Sequence, residues 1–175
     1  LAQRGELHRT VVNVVSVHGM PLGESGHWFD AAASDDDAVL RVLWIVARPG
    51  VGGARRVHGP CSLVDVAPTL LGLLGLRGGG SEGWEGEDLS GYLREREMVE
   101  RSPHSGPVFA RVDVSDDDSG AVLVARYGPY RLVRHANGKE QLTMVAGEEP
   151  GEYSGQNEPI RDDGRIRNLM SELLT

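Results

Sequence analysis

Cysteine, lysine and aromatic side chains are all scarce in this chain, and each scarcity removes a class of protein. One cysteine in 175 residues excludes an internal disulfide framework and a thiolate metal cluster, both of which need several thiols. Cations are outnumbered, at 18 Lys and Arg against 26 Asp and Glu. No surplus exists to displace counterions from a duplex, so no nucleic-acid partner is expected. No apolar run reaches the roughly 18 residues of a membrane span, and the first residues lack a signal-peptide pattern. No span is expected, and the compartment stays open. Aromatics make up 5% of the chain, whereas Gly (24) and Pro (9) are plentiful, which suits a loop-rich fold. The lysines reduce to Lys139, an arginine bias to which no function is assigned. What is present in quantity, 39% hydrophobic and 25% charged residues, describes one or two small packed domains rather than a disordered tail.

Three regions are expected, with boundaries at 1–76, 77–106 and 107–175. In the first, Leu1–Leu7 reads as the end of a helix running into Gly5. Thr10–Val17 is then β-branched and apolar on both faces, the pattern of a strand covered on two sides in a parallel sheet. Such a strand so near the start of a chain lacks neighbours, so the chain reads as a fragment with something upstream. After a Gly-rich stretch ending in Asp35, Asp36 and Asp37 comes a second buried strand at Leu40–Ala47. Cys61–Leu76 reads as a helix capped by Asp65, with Pro68 in its first turn, Val66, Leu70, Leu73 and Leu74 on one face, and Gly75 as its stop. The second region reads as a linker around Gly78, Gly79 and Gly80, with at most a short amphipathic helix at Leu89–Glu100.

The third region reads as a small antiparallel sheet closed by a helix. Val108–Val114 and Ala121–Tyr127 flank an Asp- and Gly-rich turn at Ser115–Gly120. Tyr130–His135 and Glu140–Val145 pair across Asn137-Gly138, a hairpin signal. Gly164–Leu174 reads as a helix with Ile166, Leu169, Met170 and Leu173 on one stripe.

Chemistry concentrates in one stretch, Ser16-Val17-His18-Gly19-Met20 followed by Leu22-Gly23-Glu24-Ser25-Gly26-His27-Trp28. It follows the C-terminal end of a buried strand, the ligand-binding edge of open α/β sheets. A histidine there suits metal ligation or proton transfer, although loop histidines more often hydrogen-bond their own backbone. Other polar groups read as structural. Asp35–Asp37 and Asp116–Asp118 suit solvated turns, since neither has the alternating ligands of a calcium loop. Gly78–Gly80 lacks the setting of a phosphate loop. Arg126, Arg131 and Arg134 suit paired, exposed charges, with an anion site as the rarer alternative.

Taken together and in order, these segments resemble the sulfatase family of the alkaline-phosphatase superfamily. The family's strand ending in Ser-Asp-His-Gly-Glu and its Leu-Gly-Glu-His-Gly-His-Trp segment are similar to residues 16–28. Its Arg-Val-Pro-Leu-Ile strand and Pro-Gly are similar to Arg41–Ile45 with Pro49-Gly50. Its Leu-Val-Asp-Leu-Ala-Pro-Thr-Leu-Leu helix is close to Leu63–Leu71. Its C-terminal Tyr-Arg-Leu, Glu-Leu-Tyr-Asp-Leu and Asp-Pro-Gly-Glu elements are similar to Tyr130–Leu132, Gln141–Val145 and Glu149–Glu152. The resemblance implies an α/β fold: the end of a large mixed sheet flanked by helices, plus the small antiparallel sheet with its closing helix.

The resemblance also implies sulfuric ester hydrolysis by a formylglycine nucleophile with a divalent cation, usually calcium, as Lewis acid. The nucleophile motif, Cys/Ser-x-Pro-x-Arg, has no counterpart here, because Cys61 is followed by Ser62-Leu63-Val64-Asp65. Cys61 therefore reads as a packing residue. The aspartate that ligates metal before the family's histidine is Val17, and where a Lys or His often contacts sulfate stand Phe29 and Asp30. The resemblance leaves His18 as catalytic and metal-site candidate, and His27 as a motif residue and second catalytic candidate. The chain alone is expected to bind no calcium and to be inactive. Its expected partner is the missing N-terminal half of the fold, or a second copy, with a sulfate ester as the parent's substrate. The alternatives are a catalytically dead sulfatase-fold interaction module and a fragment of a related phosphoryl-transfer enzyme or phosphonate hydrolase.

Overall fold

A computed structural model describes residues 2–23, 26, 28–29, 36–50, 54, 57, 60–76, 83–94, 106–113, 120–145, 157–159, 164 and 168. Two antiparallel sheets and three short helices organise them, a mixed α/β architecture. Single-turn 3₁₀ segments at Ala2–Arg4 and Leu7–Arg9 come first, separated by Gly5 in the left-handed region (φ 65°). Strand β1 (Val12–Val15), helix α1 (Asp37–Leu40) and strand β2 (Trp44–Ala47) follow. The parallel setting expected for the Thr10–Val17 run is corrected: β1 pairs antiparallel with β2, Val12 opposite Ala47 and Val15 opposite Trp44. The second strand also starts later than expected. Asp36 accepts a hydrogen bond from the Ala38 amide (2.9 Å), and this cap turns Asp37–Leu40 into a helical turn.

A 3₁₀ turn at Leu63–Asp65 leads into helix α2 (Val66–Leu74). Asp65 acts one turn earlier than a simple cap. In a capping box with Ser62, its Oδ2 accepts the Ser62 amide at 2.7 Å. Gly75 stops the helix as expected: at φ 72° it lets the Leu76 amide reach the Leu71 carbonyl (3.0 Å) and its own amide reach Gly72 (3.2 Å), a Schellman closure.

The buried line of α2 is Asp65, Thr69 and Gly72, and Leu74 of the expected leucine stripe is 57% exposed. Residues 83–94, which include helix α3 (Ser90–Arg94), lie against that line. The Glu87 amide donates to Asp65 Oδ1 (2.9 Å), and the Leu89 amide donates to Thr69 Oγ1 (3.0 Å). Gly72 is required because any Cβ there would collide with the Asp88 carboxylate. Polar anchoring, with Leu89 and Ser90 buried beside it, replaces the apolar stripe because the docking partner is backbone.

The larger sheet has the order β3-β4-β5-β6-β7, all antiparallel: Val108–Asp113, Ala121–Tyr127, Tyr130–Arg134, Glu140–Val145 and Asn157–Pro159. The hairpin between β5 and β6 forms as read. Asn137 Oδ1 accepts the Lys139 amide (2.9 Å) and Gly138 takes φ 77°. β7 was not anticipated, since Pro159 argues against a strand; its position at one end of the sheet order is where proline is tolerated. Most of the expected Gly164–Leu174 helix and of the Ser115–Gly120 turn lies outside the described residues.

Alternation divides the buried residues of this sheet into two clusters. Ala125, Leu132 and Leu142 fill one face, with Tyr130 packed against them. Val122, Val124 and Val133 fill the other, where Ala110, Val112 and Leu40 of α1 join them. The register sets Arg126 opposite Arg131. The same alternation places both on the second face, and Asp37 at the start of α1 lies between them. Its Oδ2 accepts from Arg126 Nη1 (3.1 Å), and its Oδ1 is 2.8 Å from Arg131 Nε, an ionic contact without hydrogen-bond alignment. Side-chain exposures of 4% for Asp37, 15% for Arg126 and 6% for Arg131 correct two expectations. Asp37 is not a solvated turn residue, and these two arginines are not exposed. Arg134 instead pairs with Glu140 across the hairpin (2.8 Å).

Removing the carboxylate strands two desolvated guanidinium groups, so Asp37→Ala should cost about 3–5 kcal/mol in urea unfolding. Replacing Asp37 and Arg131 together by leucine and methionine should cost less than Asp37→Ala alone. Asp65→Ala orphans the Ser62 and Glu87 amides and should cost about 3 kcal/mol; a loss below about 1 kcal/mol would refute the anchoring role of Asp65.

Candidate functional site

β1 delivers the chain to the stretch singled out in the sequence. Its last pairing is extended by Ser16, whose amide donates to the Leu43 carbonyl (2.9 Å) and whose Oγ accepts the Leu43 amide (2.7 Å). Below it, Asn13 Oδ1 accepts from Trp44 Nε1 (2.7 Å), tying the same two strands by side chain. With the ladder closed, the chain bends at Val17 and His18, both exposed, Val17 at 83%.

His18 Nδ1 lies 2.6 Å from the Gly19 carbonyl. A carbonyl only accepts, so the ring proton sits on Nδ1 and Nε2 is the nitrogen left for a ligand or a proton. Gly19 is where the loop touches α1. Its amide donates to the Val39 carbonyl (2.7 Å), and a Cβ would overlap the Ala38 and Arg41 carbonyl oxygens. The His-Gly pair is thus explained locally: the glycine seats the loop on the end of α1, and α1 is seated on the sheet by Asp37.

Beyond it the loop closes on itself. Pro21 is fully buried, Leu22 bridges to Trp28, and the Phe29 amide donates to the Pro21 carbonyl (2.9 Å). The Trp28 ring lies over Gly23, which holds φ 107° and has no room for a side chain. Phe29 takes a left-handed backbone (φ 54°), uncommon for a bulky residue. Trp28 and Phe29, 65% and 70% exposed, have ring centroids 6.0 Å apart. His27 and Asp30 lie outside the described residues, so the structure brings no second candidate to His18.

The donor set around His18 does not fit a hard divalent cation, which takes six or more oxygen ligands. Val17 has no donor atom, and the nearby carboxylate in sequence, Asp37, is committed to Arg126 and Arg131. Among the described residues no group of three His, Cys, Asp or Glu side chains comes together. Cys61 is exposed as a residue, yet partial desolvation of its thiol, and then the Asp65 carboxylate, push its pKa above the ordinary value. That favours the unreactive thiol over the nucleophilic thiolate.

The Asp37, Arg126 and Arg131 triad is the constellation that the sequence reading missed. A signal for it exists. Arg126 continues the alternation of Val122 and Val124, and Arg131 that of Val133. Period-2 spacing therefore put both guanidinium groups on an apolar face, where a burial partner is obligatory.

No protein-family model matches the chain. Among curated proteins it is similar to arylsulfatase K of Danio rerio, with 23% identity over 175 residues. The match takes in 98% of this chain, which spans 30% of that relative's length. The chain is thus distantly similar to a segment of a sulfatase.

Gly19→Ala should push the His18 loop off α1 and lower stability by about 1–3 kcal/mol, an overpacking cost. Two-dimensional NMR should show the largest shifts at Val39, Leu40 and Arg41. A neutral substitution would mean that the loop is not seated there.

Proposed function

We propose that these residues are a portion of a sulfatase-like sulfuric ester hydrolase. They contribute the His18 loop and a C-terminal antiparallel subdomain, and do not hydrolyse sulfate esters by themselves. The observation that carries the reading is a similarity extending along 98% of the chain to a protein named arylsulfatase K. Segment order supports it: the strand-and-His18 segment, the Arg41–Ile45 segment, the Asp65–Leu71 helix and the β4–β6 sheet follow one another as in the family. His18 is the candidate working residue. Its Nδ1 is committed to the Gly19 carbonyl, so Nε2 is the atom to hold or move a proton at the oxygen of an ester. A sulfate ester needs a nucleophile and a charge-stabilising group in addition, and Cys61, raised in pKa and exposed away from any such group among the described residues, supplies neither.

A second reading, a catalytically dead interaction module of the same fold, is favoured by one observation. Val17 stands where the resemblance expects a metal-ligating aspartate, and its side chain is 83% exposed rather than packed. A truncation does not explain a substitution inside the retained segment.

Both readings expect no turnover of a generic aryl sulfate by this chain above the buffer rate. They also expect calorimetry to find no calcium binding tighter than about millimolar, the weak end for oxygen-ligand sites. Turnover that survives His18→Ala would remove His18 from the site, and micromolar calcium binding would overturn the assignment of a degenerate metal site. Restored turnover on combining Val17→Asp with the upstream polypeptide separates the truncated hydrolase from the dead module, which expects none.

A further inference from the structure

The β1–β2 ribbon is built inside out for a two-stranded sheet in water. Its register puts Val12 and Val14 on the same face as Ile45 and Ala47, and the Ser16–Leu43 hydrogen bonds extend that face to Leu43. On this face Val14, Leu43 and Ile45 are 49%, 55% and 51% exposed. The polar residue of the ribbon, Asn13, lies on the other face, hydrogen-bonded to Trp44 and half-buried. An antiparallel ribbon with one solvated face normally shows the reverse, polar residues out and apolar residues in. Neither strand carries a charged residue, so the devices that keep an open sheet surface from pairing are missing. Among the described residues, β1 and β2 pair only with each other, and two four-residue strands do not make a self-sufficient sheet.

We infer that the Val14, Leu43 and Ile45 face is an internal packing surface, covered by an apolar layer of a longer polypeptide to which these residues belong. The inference rests on the sulfatase-like reading above and adds to it the surface through which the rest of the fold attaches. Two observations choose this occupant over a second copy. The similarity leaves the larger part of the relative's length unmatched, so a homologous protein has chain to spare for the layer. Copies of a chain with net charge −8 also repel one another on approach.

Ile45→Lys and Val14→Lys test it by their opposite consequences in two contexts. In the 175-residue chain each places a charge where solvent already is, and the urea midpoint should not move. In the full translated product of the same gene each buries an unpaired ammonium group, and the folding equilibrium constant should fall tenfold or more. Ile45→Ala, which adds no charge, should lower it less but in the same context alone. Trp44 fluorescence in the short chain confirms that the ribbon persists in the variants. Equal effects in both contexts overturn the inference, as does a gene product that contains no more than these residues. Ile45→Lys acting only by dissociating an oligomer of the short chain would make a second copy the occupant and overturn it too. Aryl sulfate turnover by the full product is read separately. A destabilised lysine variant of a product without turnover keeps the packing surface and removes the sulfatase reading. Turnover with silent lysine variants does the reverse.

Discussion

One carboxylate, Asp37, links the amino-terminal segments to the carboxy-terminal sheet. Desolvating an ion costs several kcal/mol, and two guanidinium groups already lie on the apolar face of β4 and β5. The pair of Coulombic contacts at 2.8 and 3.1 Å offsets that cost at one place only. Position is thereby specified where helix propensity would specify little, since α1 is a single turn of four residues. Leu40 then falls against Val122, Val124 and Val133, and the His18 loop, tied to α1 through Gly19 and Val39, inherits its place.

A second carboxylate repeats the principle without an ion pair. Asp65 is fully buried and takes one backbone amide on each oxygen, Ser62 before the helix and Glu87 after it. Thr69 adds Leu89. In both regions the apolar contacts are few, and directional polar groups decide which surfaces meet, because a buried donor or acceptor left unpaired costs more than the pair contributes when made.

The chemistry follows from these commitments. A carboxylate bound to two arginines is not available to a cation, and an imidazole whose Nδ1 is held by a backbone carbonyl acts through Nε2 alone. The loop keeps the histidine and glycine of its motif and lacks the oxygen donors that a calcium site requires. What remains is a scaffold that presents His18 at the edge of an uncharged ribbon.

Local signals were enough for several elements. Asn137-Gly138 located the β5–β6 hairpin, Gly75 ended α2, and alternation delimited β3 to β6, because each depends on backbone preferences or on period-2 burial within a few residues. The order of motifs likewise carried the likeness to a sulfatase segment. Direction of pairing and choice of partner were another matter. Whether Val12–Val15 runs parallel or antiparallel depends on a neighbour thirty residues away, and an apolar run reads the same in either sheet. Asp37 looked like one of three solvated aspartates until the register of β4 against β5 set two arginines side by side above it. The sequence by itself determined where the chain can turn and which residues must be hidden; only the tertiary structure decided what hides them, because the free energy of a buried charge is set by groups distant in the chain and close in space.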